Sequence, residues 1–433
     1  MFENKIKRIF VLLSMTVFVF NINAQYKYSA RSMFYGGGII PHSKNLESME
    51  RNGVFGGEIA FEWSANGEEQ WQQFWRFPNI GAGLGFINLG NNKLLGNAIY
   101  AYPYVLIPVS QTNYFNLNIK LGAGLSYVTK TWKDGDTFHG VDAATANSAF
   151  SFPINFYLNG SANFELFLNK QFSLTLDAGY AHVSNGSFKN PNFGVNIIYG
   201  QLGLKYSFVE SNARLVYNPA YELPFDFEGK FIISGFSRQI NYNDNKNFFV
   251  GSIHGGLTFP LTNWYALGGG FDAFYDGAYT NRPTEENPGF DKYKIAENKF
   301  SNKIRVGISL NNELIMGRTT GLIDFGIYLY DPIKNAYKTP VAKRGIFYKY
   351  DPSKEDGWNY IRLGIRYRFF DNLVVQAAIK LHLQTAEMFE LGIGYMLPFY
   401  KPKYASLNNS LKSYRLYHYD QKEAAAFPSP WVN

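Results

Sequence analysis

The chain has 433 residues, no cysteine, 41 Lys and Arg against 34 Asp and Glu, and a formal net charge of +7. Without thiols it forms no disulfide, no thiolate metal site and no lipid-anchored N-terminal cysteine, and its mild, dispersed positive charge lacks the basic clustering of a nucleic-acid binder. Aromatic residues make up 18% and charged residues only 17%, the balance of a transmembrane β-barrel, in which every second strand residue meets lipid and aromatic girdles line both interfaces.

In chain order, Lys5, Lys7 and Arg8 precede an apolar run from Ile9 to Phe20, then polar residues and Ala24, after which cleavage is expected. This reads as a secretory signal over residues 1–24, too short to span a membrane as a helix, and implies an exported mature chain. Apolar residues then alternate with polar ones or glycine. Over 115–128, Leu117, Ile119, Leu121 and Leu125 oppose Asn118, Lys120, Gly122 and Ser126; over 154–166, Phe156, Leu158 and Phe164 oppose Asn155, Asn159, Asn163 and Glu165. Glycines at 81, 83, 85 and at 268–270 fall inside such patterns with no helix after them, so they do not read as a phosphate-cradling loop.

Connections alternate between tight (110–113, 169–171, 261–263, 370–372) and long and polar (38–52, 129–152, 277–300, 332–356). Outer-membrane barrels show this asymmetry, with short periplasmic turns and long external loops. One connection, 64–78, is longer than its periplasmic side leads one to expect. The pattern predicts an all-β, antiparallel transmembrane β-barrel of the outer-membrane type with about 12–16 strands, as one large barrel or as an eight-stranded barrel plus a second barrel-like half.

The most informative stretch is 172–208. On its first strand Phe172, Leu174, Leu176, Ala178 and Tyr180 share one face, and the same parity carries His182 and Ser184. On the return strand Ile198, Leu202, Leu204, Tyr206 and Phe208 form the apolar face, and the same count adds Asn196. A serine with a base in reach and a group to orient that base are the parts of an acyl-transfer site. His182 serves as base, Ser184 as nucleophile and Asn196 as orienting amide, with Asn185 and the amides of the Asn185–Gly186 turn as oxyanion donors.

The residues His182-Val183-Ser184-Asn185-Gly186, then Asn190-Pro191-Asn192 and Gly194-Val195-Asn196, resemble the active-site hairpin of the lipid A 3-O-deacylase family, eight-stranded outer-membrane esterases. The wider resemblance covers about residues 28–208. It implies a site on the lipid-facing outer wall, with the histidine as base and the serine as nucleophile. That family orients the histidine with a glutamate twelve residues after the serine; here Asn196 holds the place. Outer-membrane calcium-dependent phospholipases A also carry His-x-Ser-Asn-Gly, with an asparagine at that spacing. The resemblance therefore implies an outer-membrane serine esterase acting on lipid A or lipopolysaccharide without a cofactor. The first alternative is a phospholipase A on membrane phospholipids, for which calcium and a homodimer come into play. The alternative from another class is a non-enzymatic porin or adhesin barrel. With the N-terminus in the periplasm, the strand ending at Ser184 is the seventh and runs outward, which places the site at the external leaflet.

Residues 25–208 thus form the deacylase-like strands, 209–399 further barrel strands, and 400–433 a polar tail. In the second half Asp272, Asp324, Arg366, Lys380, His382 and Glu390 fall on the non-lipid face with mixed signs. They read as a lumenal ion-pair network, and His382 with Glu387 is not promoted to a second site. His139 and Asp142, in the loop 129–152, and His42, after an earlier strand, read as loop polar residues and not as ligands.

Overall fold

The structure is a computed structural model that describes residues 27–42, 44–47, 52–132, 146–208, 225–240, 246–280, 298–332, 346–347, 349, 356–382 and 385–399. The expected signal (1–24), the polar tail (400–433), His139 and Asp142 lie outside the described residues. Strands β1 (Lys27–Ile40), β2 (Val54–Ser64), β3 (Asn79–Asn88), β4 (Asn97–Gln111), β5 (Phe115–Val128), β6 (Ile154–Phe167), β7 (Phe172–Ser184) and β8 (Val195–Ser207) close into one antiparallel barrel. A second barrel closes from β9 (Phe227–Gln239), β10 (Asn247–Pro260), β11 (Tyr265–Asp276), β12 (Ile304–Met316), β13 (Thr319–Tyr330), β14 (Asn359–Arg368), β15 (Leu373–His382) and β16 (Thr385–Phe399). Of the two architectures the sequence left open, the chain therefore adopts the one with two eight-stranded rings. Closure pairs β1 with β8, Ile40 opposite Asn196, and β16 with β9, Leu391 opposite Gly235.

Period-two patterning decides the handling of both faces. Outward residues such as Leu117, Ile119, Leu176 and Leu202 are exposed, as a lipid-facing wall requires. Inward residues are polar yet buried, because a ring of eight strands leaves just enough interior for side chains to fill. In the first barrel Arg31 pairs with Glu62 and Asp177, both at 3.0 Å, and Lys120 bridges Glu58 and Asp177, both at 3.2 Å. Tyr100 and Tyr102 donate to Glu58, and Tyr104 donates to Glu62. A Cβ at Gly83 would come within 2.7 Å of the Tyr102 ring, so the strand glycines make room for tyrosines.

The second lumen holds the ion-pair network expected of it. Arg362 meets Asp272 at 2.8 Å and Glu390 at 2.7 Å, while Lys230 and Arg366 converge on Glu313 at 2.6 and 2.8 Å. His382, Glu387 and Asp356 lie close enough together to suggest a metal site, but Lys380 already sits 2.6 Å from Glu387, and Arg305 bonds both Glu387 and Asp356. These cations supply the charge a dication would bring. Both cylinders are plugged by their own side chains, an arrangement opposed to the porin alternative.

The barrels are clasped at both ends. A short α1 (Lys44–Glu47) follows β1, and at the opposite end of the barrel the long connection 64–78 carries a helical turn, α2 (Gln70–Phe74). Just after α2, Trp75 donates its indole N–H to the Ile315 carbonyl of the second barrel (2.8 Å) and packs edge-on against Trp264. This contact accounts for the unexpected length of that connection. At the other end Ser187 donates to the Ala386 carbonyl (3.0 Å), Gln239 N–H donates to the Ser187 carbonyl (3.1 Å), and the Phe156 and Phe389 rings lie 4.1 Å apart.

Candidate active site

Strand register brings the three sequence-predicted side chains together. His182 lies directly opposite Asn196 on the neighbouring strand, and Ser184 is two residues further along the same face of β7. His182 Nε2 is 2.8 Å from Ser184 Oγ, and His182 Nδ1 is 2.6 Å from Asn196 Oδ1. All three project from the outer wall, not into the lumen, since their neighbours Val183 and Val195 are the buried residues between them.

The relay extends one residue beyond the expected set. Asn196 Nδ2 donates to His42 Nδ1 (2.9 Å), and His42 Nε2 donates to the Phe193 carbonyl (2.7 Å). That carbonyl can only accept, and this fixes the direction of every bond before it. His42 carries its proton on Nε2, Asn196 turns its amide nitrogen to His42 and its oxygen to His182, and His182 holds its proton on Nδ1. His182 Nε2 is left as the acceptor facing the serine hydroxyl. His42 was read from sequence as a loop polar residue. Barrel closure is the signal that would have found it: once β1 pairs with β8, His42 stands two residues past the partner of Asn196.

The turn after the serine is shaped by two glycines. Gly194 has φ +66°, and a Cβ there would stand 2.9 Å from the Ser184 Cβ and 3.2 Å from His182 Cε1, so glycine lets the backbone pass close behind the relay. Gly186 and Ser187 both have positive φ, 64° and 68°, an unfavoured conformation for a serine. The second barrel holds Ser187 there through both its hydroxyl and its carbonyl. The next residues are fixed from the same side, with Asn190 N–H donating to Gln239 Oε1 (2.7 Å).

Asn185 does not fit its expected part. Its side-chain amide donates to the Lys189 carbonyl (2.9 Å) and to Ser151 Oγ (3.4 Å), and its backbone N–H donates to Asn192 Oδ1 (2.9 Å). At 2% exposure it is a buried brace of the turn, with no donor left for a substrate oxygen. Among the described residues the Gly186 N–H has no protein acceptor, and Gly186 packs beside Phe156 and Phe389. Calcium finds little in this loop, because it has no carboxylate and its Lys189, Ser187 and Asn192 oxygens already accept protein hydrogens.

His182 and Ser184 open onto a cavity of about 940 Å³ between the two barrels. Leu158 and Phe156 form its near wall, and Leu363, Ile365, Leu391 and Ile393 its far one.

Residues 56–205 match the family model described as lipid A 3-O-deacylase (PagL). Residues 227–348 and 341–400 match the model described as acyloxyacyl hydrolase, C-terminal domain, so one model falls on each barrel. Among solved structures, the chain is similar to Neisserial surface protein A, at 12% identity over 42% of this chain and 97% of that one, with a TM-score of 0.25. It is also similar to a de novo designed transmembrane β-barrel (11% identity, 41% and 100%, TM-score 0.20) and to the Ralstonia pickettii toluene transporter TbuX (9%, 87% and 90%, TM-score 0.16). No curated protein matches the chain.

Proposed function

Because this outer-membrane β-barrel chain resembles the lipid A 3-O-deacylase family through both its barrels, we propose that it is a serine esterase that removes an ester-linked acyl chain from lipid A. Ser184 Oγ attacks the ester carbonyl while its proton passes to His182 Nε2. Asn196, itself held by His42, keeps the other imidazole proton on Nδ1 and the ring aimed at the serine. The Gly186 N–H replaces Asn185 as the donor to the tetrahedral oxyanion. As the intermediate collapses, the ester C–O bond breaks and His182 returns the proton to the leaving alcohol. Water then repeats the sequence on the acyl-serine: His182 takes its proton, hydroxide adds to the carbonyl, and Ser184 leaves with that proton restored.

The observation that carries this reading is the one-directional chain of hydrogen bonds ending at Ser184 Oγ, set on the outer wall beside an apolar cavity. The site lies at the end with the long connections, which fits the external leaflet where lipid A resides. Mass spectrometry of lipid A tests it, comparing cells with the chain, without it, and with Ser184→Ala. The reading expects loss of one acyl chain in the first case alone; an identical acylation pattern in all three removes lipid A as the substrate.

Asn196 in the third position favours one second reading, a phospholipase A. Hydrolysis of glycerophospholipid micelles that stops in EDTA would support it. Full activity in EDTA is the outcome expected from the donor set of the 185–192 turn.

A further inference from the structure

Among the described residues the second barrel contributes none to the relay, yet it forms one side of the space onto which the relay opens. We propose that the slot between the barrels is the binding site for the acyl chain being cleaved, so that the second barrel measures chain length. This rests on the esterase reading above and adds to it the substrate's apolar subsite.

Four observations carry the proposal. First, the cavity starts at His182 and Ser184 and runs along the strands towards Tyr367 and Val375 at the opposite end of the second barrel. Second, beyond the relay its walls are almost wholly apolar, so it suits hydrocarbon and rejects a sugar or phosphate headgroup. Third, the slot is built and not a loose gap, because the clasps at Trp75 and at Ser187 fix the barrels at both ends. Fourth, its length suits an acyl chain. Strand pairing sets three rungs on the far wall: Leu363, Ile379 and Phe389; Ile365, Ala377 and Leu391; Tyr367, Val375 and Ile393.

Four residues separate the outer rungs, a distance of ~13 Å at strand rise. Carbon–carbon bonds of ~1.5 Å, zigzagging in an extended hydrocarbon, advance ~1.3 Å each, so about ten methylenes fit alongside. The small Ala377 of the middle rung leaves a shallow floor between Ile365 and Leu391. Phe389 is only 9% exposed, packed against Phe156, and caps the slot beside Gly186. Lipid tails also contact any outer wall, but only a chain covalently joined to the ester is held in register with Ser184. Ester chain length therefore separates the two sources of hydrocarbon.

The test uses the full chain in detergent micelles and two p-nitrophenyl esters, butyrate and palmitate, with Ile365→Trp filling the middle rung. Ile365 is 45% exposed on the wall, so the larger side chain has room without disturbing either lumen. The expected result is a tenfold or greater fall in kcat/KM for palmitate, with butyrate within twofold of the unsubstituted chain. Equal effects on both esters, or none on either, would overturn the proposal. A second readout needs no turnover: Ser184→Ala protein is irradiated with a palmitoyl ester bearing a terminal diazirine. Label confined to peptides of the slot's two walls, β5–β6 on the near side and β14–β16 on the far side, and lost in Ser184→Ala/Ile365→Trp, supports the slot. Label spread around the outer walls of both barrels refutes it. If Ser184→Ala still hydrolyses butyrate while the label stays in the slot, the esterase assignment of Ser184 fails and the slot stands.

Discussion

Replacing Asn196 with alanine isolates the link between the two imidazoles. The substitution removes the acceptor 2.6 Å from His182 Nδ1 and the donor 2.9 Å from His42 Nδ1, and leaves Ser184, Gly186 and the cavity untouched. An unsatisfied polar group in a partly buried site costs ~1–3 kcal/mol. If that penalty falls on the reacting geometry, it lowers kcat by about 5- to 150-fold at 1.36 kcal/mol per tenfold. KM stays unchanged, because Asn196 does not line the slot. The assay is p-nitrophenyl ester hydrolysis in micelles, with heat-modifiable gel mobility as the check on folding. Asn196→Asp still accepts from His182 but brings a charge into the dry slot, so it recovers only part of the lost kcat. A kcat within twofold of the unsubstituted chain for Asn196→Ala, or a loss expressed mainly in KM, would refute the positioning role.

Three further outcomes follow from the geometry. His42→Ala leaves the Asn196 amide to water at an exposed position, so kcat falls only ~2- to 5-fold, equivalent to ~0.5–1 kcal/mol; steady-state kinetics read this, and a loss as large as that of Asn196→Ala would contradict it. Gly194→Ala forces a side chain into φ +66° and within 2.9 Å of the Ser184 Cβ, with ~1–2 kcal/mol of backbone strain and at least a tenfold fall in activity. Gly200→Ala, whose Cβ would meet nothing closer than 3.8 Å, is the control that leaves thermal unfolding and hydrolysis unchanged. Lys120→Met takes the cation from Glu58 in the first lumen, while Asp177 keeps Arg31, and costs ~3–5 kcal/mol, visible as a lower unfolding temperature in detergent; an unchanged transition would mean that the cation is not needed there.

Much of this was legible because a membrane strand writes its orientation with period two. The parity of Phe172 to Tyr180 places His182 and Ser184 outward, and the structure puts them there with β7 ending at Ser184. Three features were not legible, each for a stated reason. His42 joins the relay through closure of β1 on β8, a contact between residues 154 apart in sequence. Asn185 looked like an oxyanion donor because its place beside the serine is visible in sequence, whereas the partners that use up its hydrogens, Lys189 and Ser151, are visible only in three dimensions. The connection 64–78 was an anomaly for a single ring and becomes intelligible as the arm that reaches a second one.

The second barrel also bears on why the third relay position holds an amide. On an open outer wall a carboxylate can draw water along the interface, and its charge is screened. Here the far barrel stands across the mouth of the site, the Phe156–Phe389 pair closes one side, and Ser184 is 6% exposed. An ionised side chain in such a dry slot carries a desolvation cost of several kcal/mol unless a counter-charge sits beside it. None of the relay partners, His182, His42 or the Phe193 carbonyl, supplies a fixed one. A neutral asparagine, polarised from behind by His42, orients the base without that cost and leaves the slot fit for hydrocarbon. The relay's neutrality and the walled cavity are therefore two sides of one arrangement. Loosening the clasps by Trp75→Ala together with Ser187→Ala should make Asn196→Asp more active relative to Asn196 than it is in the clasped protein, as water returns to the wall. An Asp-to-Asn activity ratio unaffected by unclasping would break the connection between them.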